Sequence, residues 1–162
     1  MHRVPAADLD DTAAREALMA ASMHAGIAFS NASVTLIHGM SRPIGARFHI
    51  AHGLSNAILL PKVTEYSLQG APHRYAEAAR AMGAAHAGDS DVSACDSLLQ
   101  MLHDLTTELR VPSLSELGVS QEAFVGSAEL MAEQALASGS PANNPTVPTA
   151  EDVVDLYGHV YS

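Results

Sequence analysis

The chain of 162 residues has one cysteine, Cys95, so no disulfide can close within it. That usage fits a reducing compartment, and the cytoplasm is the expected location. Basic residues are scarce: 8 Lys and Arg stand against 18 Asp and Glu, for a formal net charge of −10. Nucleic acid and anionic membrane surfaces both reward positive charge, so neither is an expected partner. No apolar run reaches the roughly 18 residues a membrane helix needs, and the opening MHRVPAADLDD lacks a signal-peptide pattern. Charge of either sign is low, at 16% of residues with 48% apolar, where an average soluble protein carries about 25%. Part of the surface is therefore expected to be covered, and a homo-oligomer, simplest as a dimer, would cover it.

Period-two alternation, internal repeats and low-complexity segments are also missing, as is a Gly-x-Ser-x-Gly elbow that would make Ser41 or Ser55 a nucleophile. What is present is helical periodicity. The length suits one domain, residues 1–162, able to bury a sizeable core. A first helix is expected over Leu9–Ser30, started by Asp10, Asp11 and Thr12, with Gly26 marking a close helix approach. A second is expected over Ala32–Arg47, interrupted in its bonding by Pro43, and a third from His52 to Ser67, carrying Pro61. Others are expected over Pro72–Met82, ending at Gly83, and from Asp91 to Arg110. GVSQEAF then restarts a helix that runs to Ala137, SGSPANNPTVP is a loop, and Thr149, Glu151 and Asp152 begin the last helix. The fold class is all-α, a bundle of about seven or eight helices.

The chemistry concentrates in LIHGMSRPIGARFHIAHGLSNAILLP, Leu36 to Pro61, which holds His38, His49 and His52 with only Arg42 and Arg47 as charges. Histidine is the commonest protein ligand for transition metals. His38, mid-way along the second helix, and His52, opening the third, can converge on one ion. Imidazole accepts several divalent metals, zinc and iron among them.

The run AGIAFSNASVTLIHGMSRPIGARFHIAHGLSNAILLP resembles the signature of the iron-containing (group III) alcohol dehydrogenases. LDDTAAREALMAAS upstream and NNPTVPTAEDVVDLYGHVYS downstream continue the likeness over nearly the whole chain. The resemblance implies the family's helical C-terminal domain and places His38 and His52 on its last two metal ligands, for a divalent transition metal, Zn or Fe. It also implies that an Asp and a His, together with a Gly-rich nucleotide-binding domain, lie outside this sequence, so no NAD(P) binding is expected of this chain alone. Arg42 falls where many members carry a second histidine; arginine does not shuttle protons at neutral pH but can hold an anionic group of a small-molecule substrate.

Three functions remain open. Two or three imidazoles with open coordination positions would suit hydrolysis of activated esters or phosphotriesters, with His49 or a nearby carboxylate as proton acceptor. Alternatively, the chain is a domain or fragment of an NAD(P)-dependent dehydrogenase that needs a nucleotide-binding partner, or a non-catalytic oligomeric helical module. Replacement metal donors are sought in His49, His24, Asp8, Asp10, Asp11 and His2, or in a two-fold dimer that pools His38 and His52 from both chains.

Overall fold

The structure is a computed structural model and describes residues 11–161. Leu9 and the upstream candidates Asp8, Asp10 and His2 lie outside the described residues. Among those residues every regular element is helical, and no helix is long and apolar enough to cross a membrane.

The chain divides into two compact units, Met1–Val34 and Thr35–Ser162. The first is described by one helix, α1 (Thr12–Ala32). Asp11 caps it by accepting a hydrogen bond from the Ala14 N–H at 3.0 Å, which satisfies one of the unpaired donors of the first turn. Within the described residues of this unit nothing packs on Gly26, where a built Cβ meets no atom within 4 Å.

The second unit begins with α2 (Leu36–Phe48), α3 (His52–Leu68), α4 (Pro72–Met82) and α5 (Asp91–Glu108). It continues with α6 (Gln121–Val125), α7 (Ala128–Ala137), a 3-10 turn at Ser140–Asn143 and α8 (Ala150–Tyr161). Two expected boundaries are corrected. The second helix starts at Leu36, because Ser33 sits at φ 66° and the β-branched Val34 and Thr35 follow it. His38 therefore lies in the first turn of α2 instead of at its middle. The single helix expected through Ala137 is two, broken at Gly126 and Ser127, where the Ser127 hydroxyl bonds back to the Ala123 carbonyl.

Two apolar clusters hold the unit together. Leu36, Met40 and Ile44 recur every four residues along one face of α2 and bury against Leu59 and Val63 of α3, Met131 and Ala135 of α7, and Val153 and Tyr157 of α8. Phe124 joins them, with its ring 5.8 Å edge-on to Tyr157. The buried Tyr157 hydroxyl donates to the Met40 carbonyl at 2.8 Å, tying α8 to α2. Ala76 and Ala79 of α4 and Ala94, Cys95, Leu98 and Leu102 of α5 form the second cluster, with Leu60 and Leu68 of α3 packed on it. α3 is thus shared by both.

Glycines let the chain close up at Gly39 and Gly45, as at Gly70 against the backbone of Pro145. At Gly39 a Cβ would lie 2.8 Å from Cγ of Pro141. At Gly45 it would lie 3.1 Å from the carbonyl oxygen of Ile50. The second approach decides where α3 begins.

Candidate metal centre

α2 ends at His49, whose backbone takes the left-handed conformation at φ 56° and ψ 31°. That reversal folds Ile50 back along α2, with its side chain buried and its carbonyl beside Gly45. Three residues of this returning path bring His52, the first residue of α3, alongside the first turns of α2 instead of beyond its end. The two sequence-predicted ligands therefore meet: the rings of His38 and His52 lie 5.2 Å apart, centre to centre, inclined at 58°. Two imidazole nitrogens about 2.1 Å from one ion at a tetrahedral angle put their ring centres roughly 5 Å apart, so the pair fits a shared metal.

Neighbouring residues prepare both rings. His52 Nδ1 lies 3.3 Å from the hydroxyl of Ser41, a residue with no exposed surface, and that hydroxyl is 3.2 Å from the His38 carbonyl it donates to. Nε2 of His52 faces the side-chain amide of Asn56 at 3.2 Å. His38 is half-buried, and its imidazole is held below its ordinary pKa of 6.5, first by burial and then by the nearby His52 and Arg42 charges. Neutral imidazole is the metal-binding form, so this environment favours ligation at neutral pH.

Among the described residues of the second unit, no further candidate adds a third ligand to the pair. Arg42 is exposed one turn beyond His38. His49 is exposed at the left-handed end of α2, while the ring of His52 meets His38, Ser41 and Asn56. Asp11 and His24 belong to the first unit, where Asp11 serves as the cap of α1. Among the described residues no group of three His, Cys, Asp or Glu comes together to hold an ion. A cleft of about 530 Å³ lies between α7 and α8, floored by Ala132, Leu136 and Val154 and rimmed by Glu129, Glu133, Glu151 and Asp155, with no histidine in its lining.

Ser41 and Asn56 join the site although neither is a typical metal ligand: Ser41 lies three residues after His38, and Asn56 four after His52. Those are the helical spacings at which a side chain can support a ligand.

The comparisons agree on one family. A sequence model for "Fe-containing alcohol dehydrogenase family, C-terminal" matches residues 3–161. An NADPH-dependent butanol dehydrogenase of Clostridium saccharobutylicum is 32% identical over 152 residues, 93% of this chain but 39% of that protein. Lactaldehyde reductase of Escherichia coli is 35% identical over 134 residues, 82% of this chain and 34% of the relative. The solved alcohol dehydrogenase from Oenococcus oeni superposes with a TM-score of 0.87 at 33% identity, covering 96% of this chain and 40% of that one. The chain thus spans between about a third and two fifths of the length of these three relatives.

Proposed function

The chain belongs to the Fe-containing alcohol dehydrogenase family and corresponds to its C-terminal part, and from this we propose that it is the metal-holding half of an NAD(P)-dependent alcohol or aldehyde oxidoreductase. His38 and His52 supply two of the ligands. The remaining donors and the nicotinamide site come from polypeptide outside the described residues. The observation that carries this reading is the ring pair at 5.2 Å, formed by two residues fourteen positions apart on different helices. A divalent ion bound there supplies Lewis acidity toward an alcohol or carbonyl oxygen.

The chain's own groups bind and orient. His38 is kept neutral by burial, and Ser41 contacts both histidines. Arg42, exposed one turn beyond His38, is the group that would hold an anionic substituent of a substrate. Metal-assisted hydrolysis draws less support. It needs a third donor or a proton acceptor at the pair, and among the described residues no group of three His, Cys, Asp or Glu is found.

The test is metal content of the purified chain by mass spectrometry, with iron and zinc each offered, for the unchanged protein and for His38→Ala with His52→Ala. Binding in the unchanged chain that disappears in the double variant is expected. Alcohol-dependent NAD(P) reduction should then appear only when a nucleotide-binding domain of the family is added. Equal metal uptake by the double variant overturns the assignment of ligands, and reduction of NAD(P) by this chain alone overturns the division of labour.

A further inference from the structure

The assignment of hydrogens around His52 carries a consequence for its ring, and it rests on the reading of His38 and His52 as a ligand pair. The Ser41 hydroxyl has one proton and sits between two acceptor-capable groups, the His38 carbonyl at 3.2 Å and His52 Nδ1 at 3.3 Å. The Asn56 amide faces His52 Nε2 at 3.2 Å, while the Asn56 Oδ1 is buried without a partner. Two arrangements are possible. In the first, His52 carries its proton on Nδ1 and donates it to Ser41, Ser41 donates to the His38 carbonyl, and Asn56 donates to a bare Nε2. One buried acceptor, Oδ1, goes unused. In the second, the proton is on Nε2 and points to a turned-over Asn56 oxygen, while Ser41 gives its proton to Nδ1. The His38 carbonyl then loses Ser41, and the Asn56 NH₂ group occupies the buried position with no acceptor. An orphaned N–H is rarer and costlier than an under-used carbonyl, so the first arrangement prevails.

We propose that Ser41 is a positioning residue that holds neutral His52 as the Nδ1–H tautomer, leaving the Nε2 lone pair free for an ion, with Asn56 occupying that lone pair until the ion displaces it. The fully buried Ser41 thereby links the backbone of one ligand residue to the ring of the other, in the way that outer groups of metal sites fix ligand tautomers. An unconstrained neutral histidine in water favours the opposite tautomer, with the proton on Nε2. The environment reverses that preference.

Long-range ¹H–¹⁵N spectra of ¹⁵N-histidine-labelled chain at pH 8, without metal, read the tautomer directly. His52 should show a pyrrole-type Nδ1 and a pyridine-type Nε2, and Ser41→Ala should move the ring toward Nε2–H. A wild-type His52 protonated on Nε2 overturns the proposal with no variant needed, as does an unchanged ring in Ser41→Ala. In a second arm, Zn²⁺ is competed against a chromophoric chelator. Ser41→Ala should weaken zinc by 10- to 100-fold, and equal affinity overturns the role of Ser41 while leaving the ligand pair standing. Failure of the unchanged chain to take zinc or iron at all, with the Nδ1–H tautomer present, would instead count against the metal-centre reading alone.

Discussion

Replacing Gly39 by alanine sets two effects of opposite sign against each other. Gly39 lies in the first turn of α2, and alanine there gains up to about 1 kcal/mol of helix propensity. The new methyl, however, would sit 2.8 Å and 2.9 Å from Cγ and Cδ of Pro141 and 3.4 Å from the Ala135 carbonyl oxygen. A proline ring has little freedom to step aside, so the contact must be relieved by shifting the 3-10 turn or α7, at roughly 1–3 kcal/mol for an overpacked core. Gly53 provides the internal control, since it lies in the first turn of α3 and its Cβ meets nothing within 4 Å. The propensity gain is similar in both variants and cancels in their difference. Gly39→Ala should therefore unfold about 1–3 kcal/mol more easily than Gly53→Ala, a gap of roughly 3–10 °C in midpoint for a chain of this size. Urea and thermal unfolding of the two variants followed by circular dichroism measure it. Equal stabilisation by both would refute the claim that Pro141 fills the space at Gly39.

Tyr157→Phe removes the donor to the Met40 carbonyl without changing the buried ring; it should cost about 1 kcal/mol, and an unchanged urea midpoint would discount the tie between α8 and α2. The hydrogen bond and charge of Asp91, aided by Glu77, raise the His73 pKa above 6.5, while Arg80 first and His73 second lower that of Asp91 below 3.8. The His73 contribution is present below pH 6.5 and lost as pH rises through the raised value; the Asp91 contribution is present above pH 3.8 and lost as pH falls through the lowered one. The link between α4 and α5 is thus complete between those limits, and an NMR titration of His73 should move down toward the ordinary value in Asp91→Asn, with Glu77 still raising it. Burial, followed by the Asp91 and Asp96 charges, pushes the Cys95 thiol up, so a disulfide reagent at pH 8 should label it slowly until denaturant is added. Stoichiometric labelling of the folded chain within seconds would contradict its placement.

The helical class was legible because punctuation and periodicity coincide. Pro72 opens α4 and Gly83, at φ 77°, closes it; Asp11 caps α1; and apolar positions recur at helical spacing through Leu98 and Leu102. Helix positions alone allowed His38 and His52 to converge, and the family likeness singled them out as the pair, since nothing in a fourteen-residue spacing says that the chain doubles back. Where α2 starts, and the split at Gly126, depended on serine side chains and β-branched residues competing with the helix backbone, a balance too local for periodicity to reveal. Ser41 and Asn56 acquire their meaning only after Ile50 has folded against Gly45, because Ser41 meets His52 across eleven residues of chain.

That returning path also makes the segment a ruler. From His38 the backbone runs outward to Phe48, reverses at His49 and comes back over Ile50 and Ala51 before His52 is placed. One residue added within α2 would turn everything after it by about 100° around the helix and advance it by about 1.5 Å. One added between His49 and Ala51 would overshoot the start of α3 by about 3 Å. Neither error can be absorbed locally, since Gly45 holds the return against the helix. Chain length is therefore fixed to the single residue between the two histidines, whereas the exposed turn at residues 86–88 can take insertions without disturbing either ring.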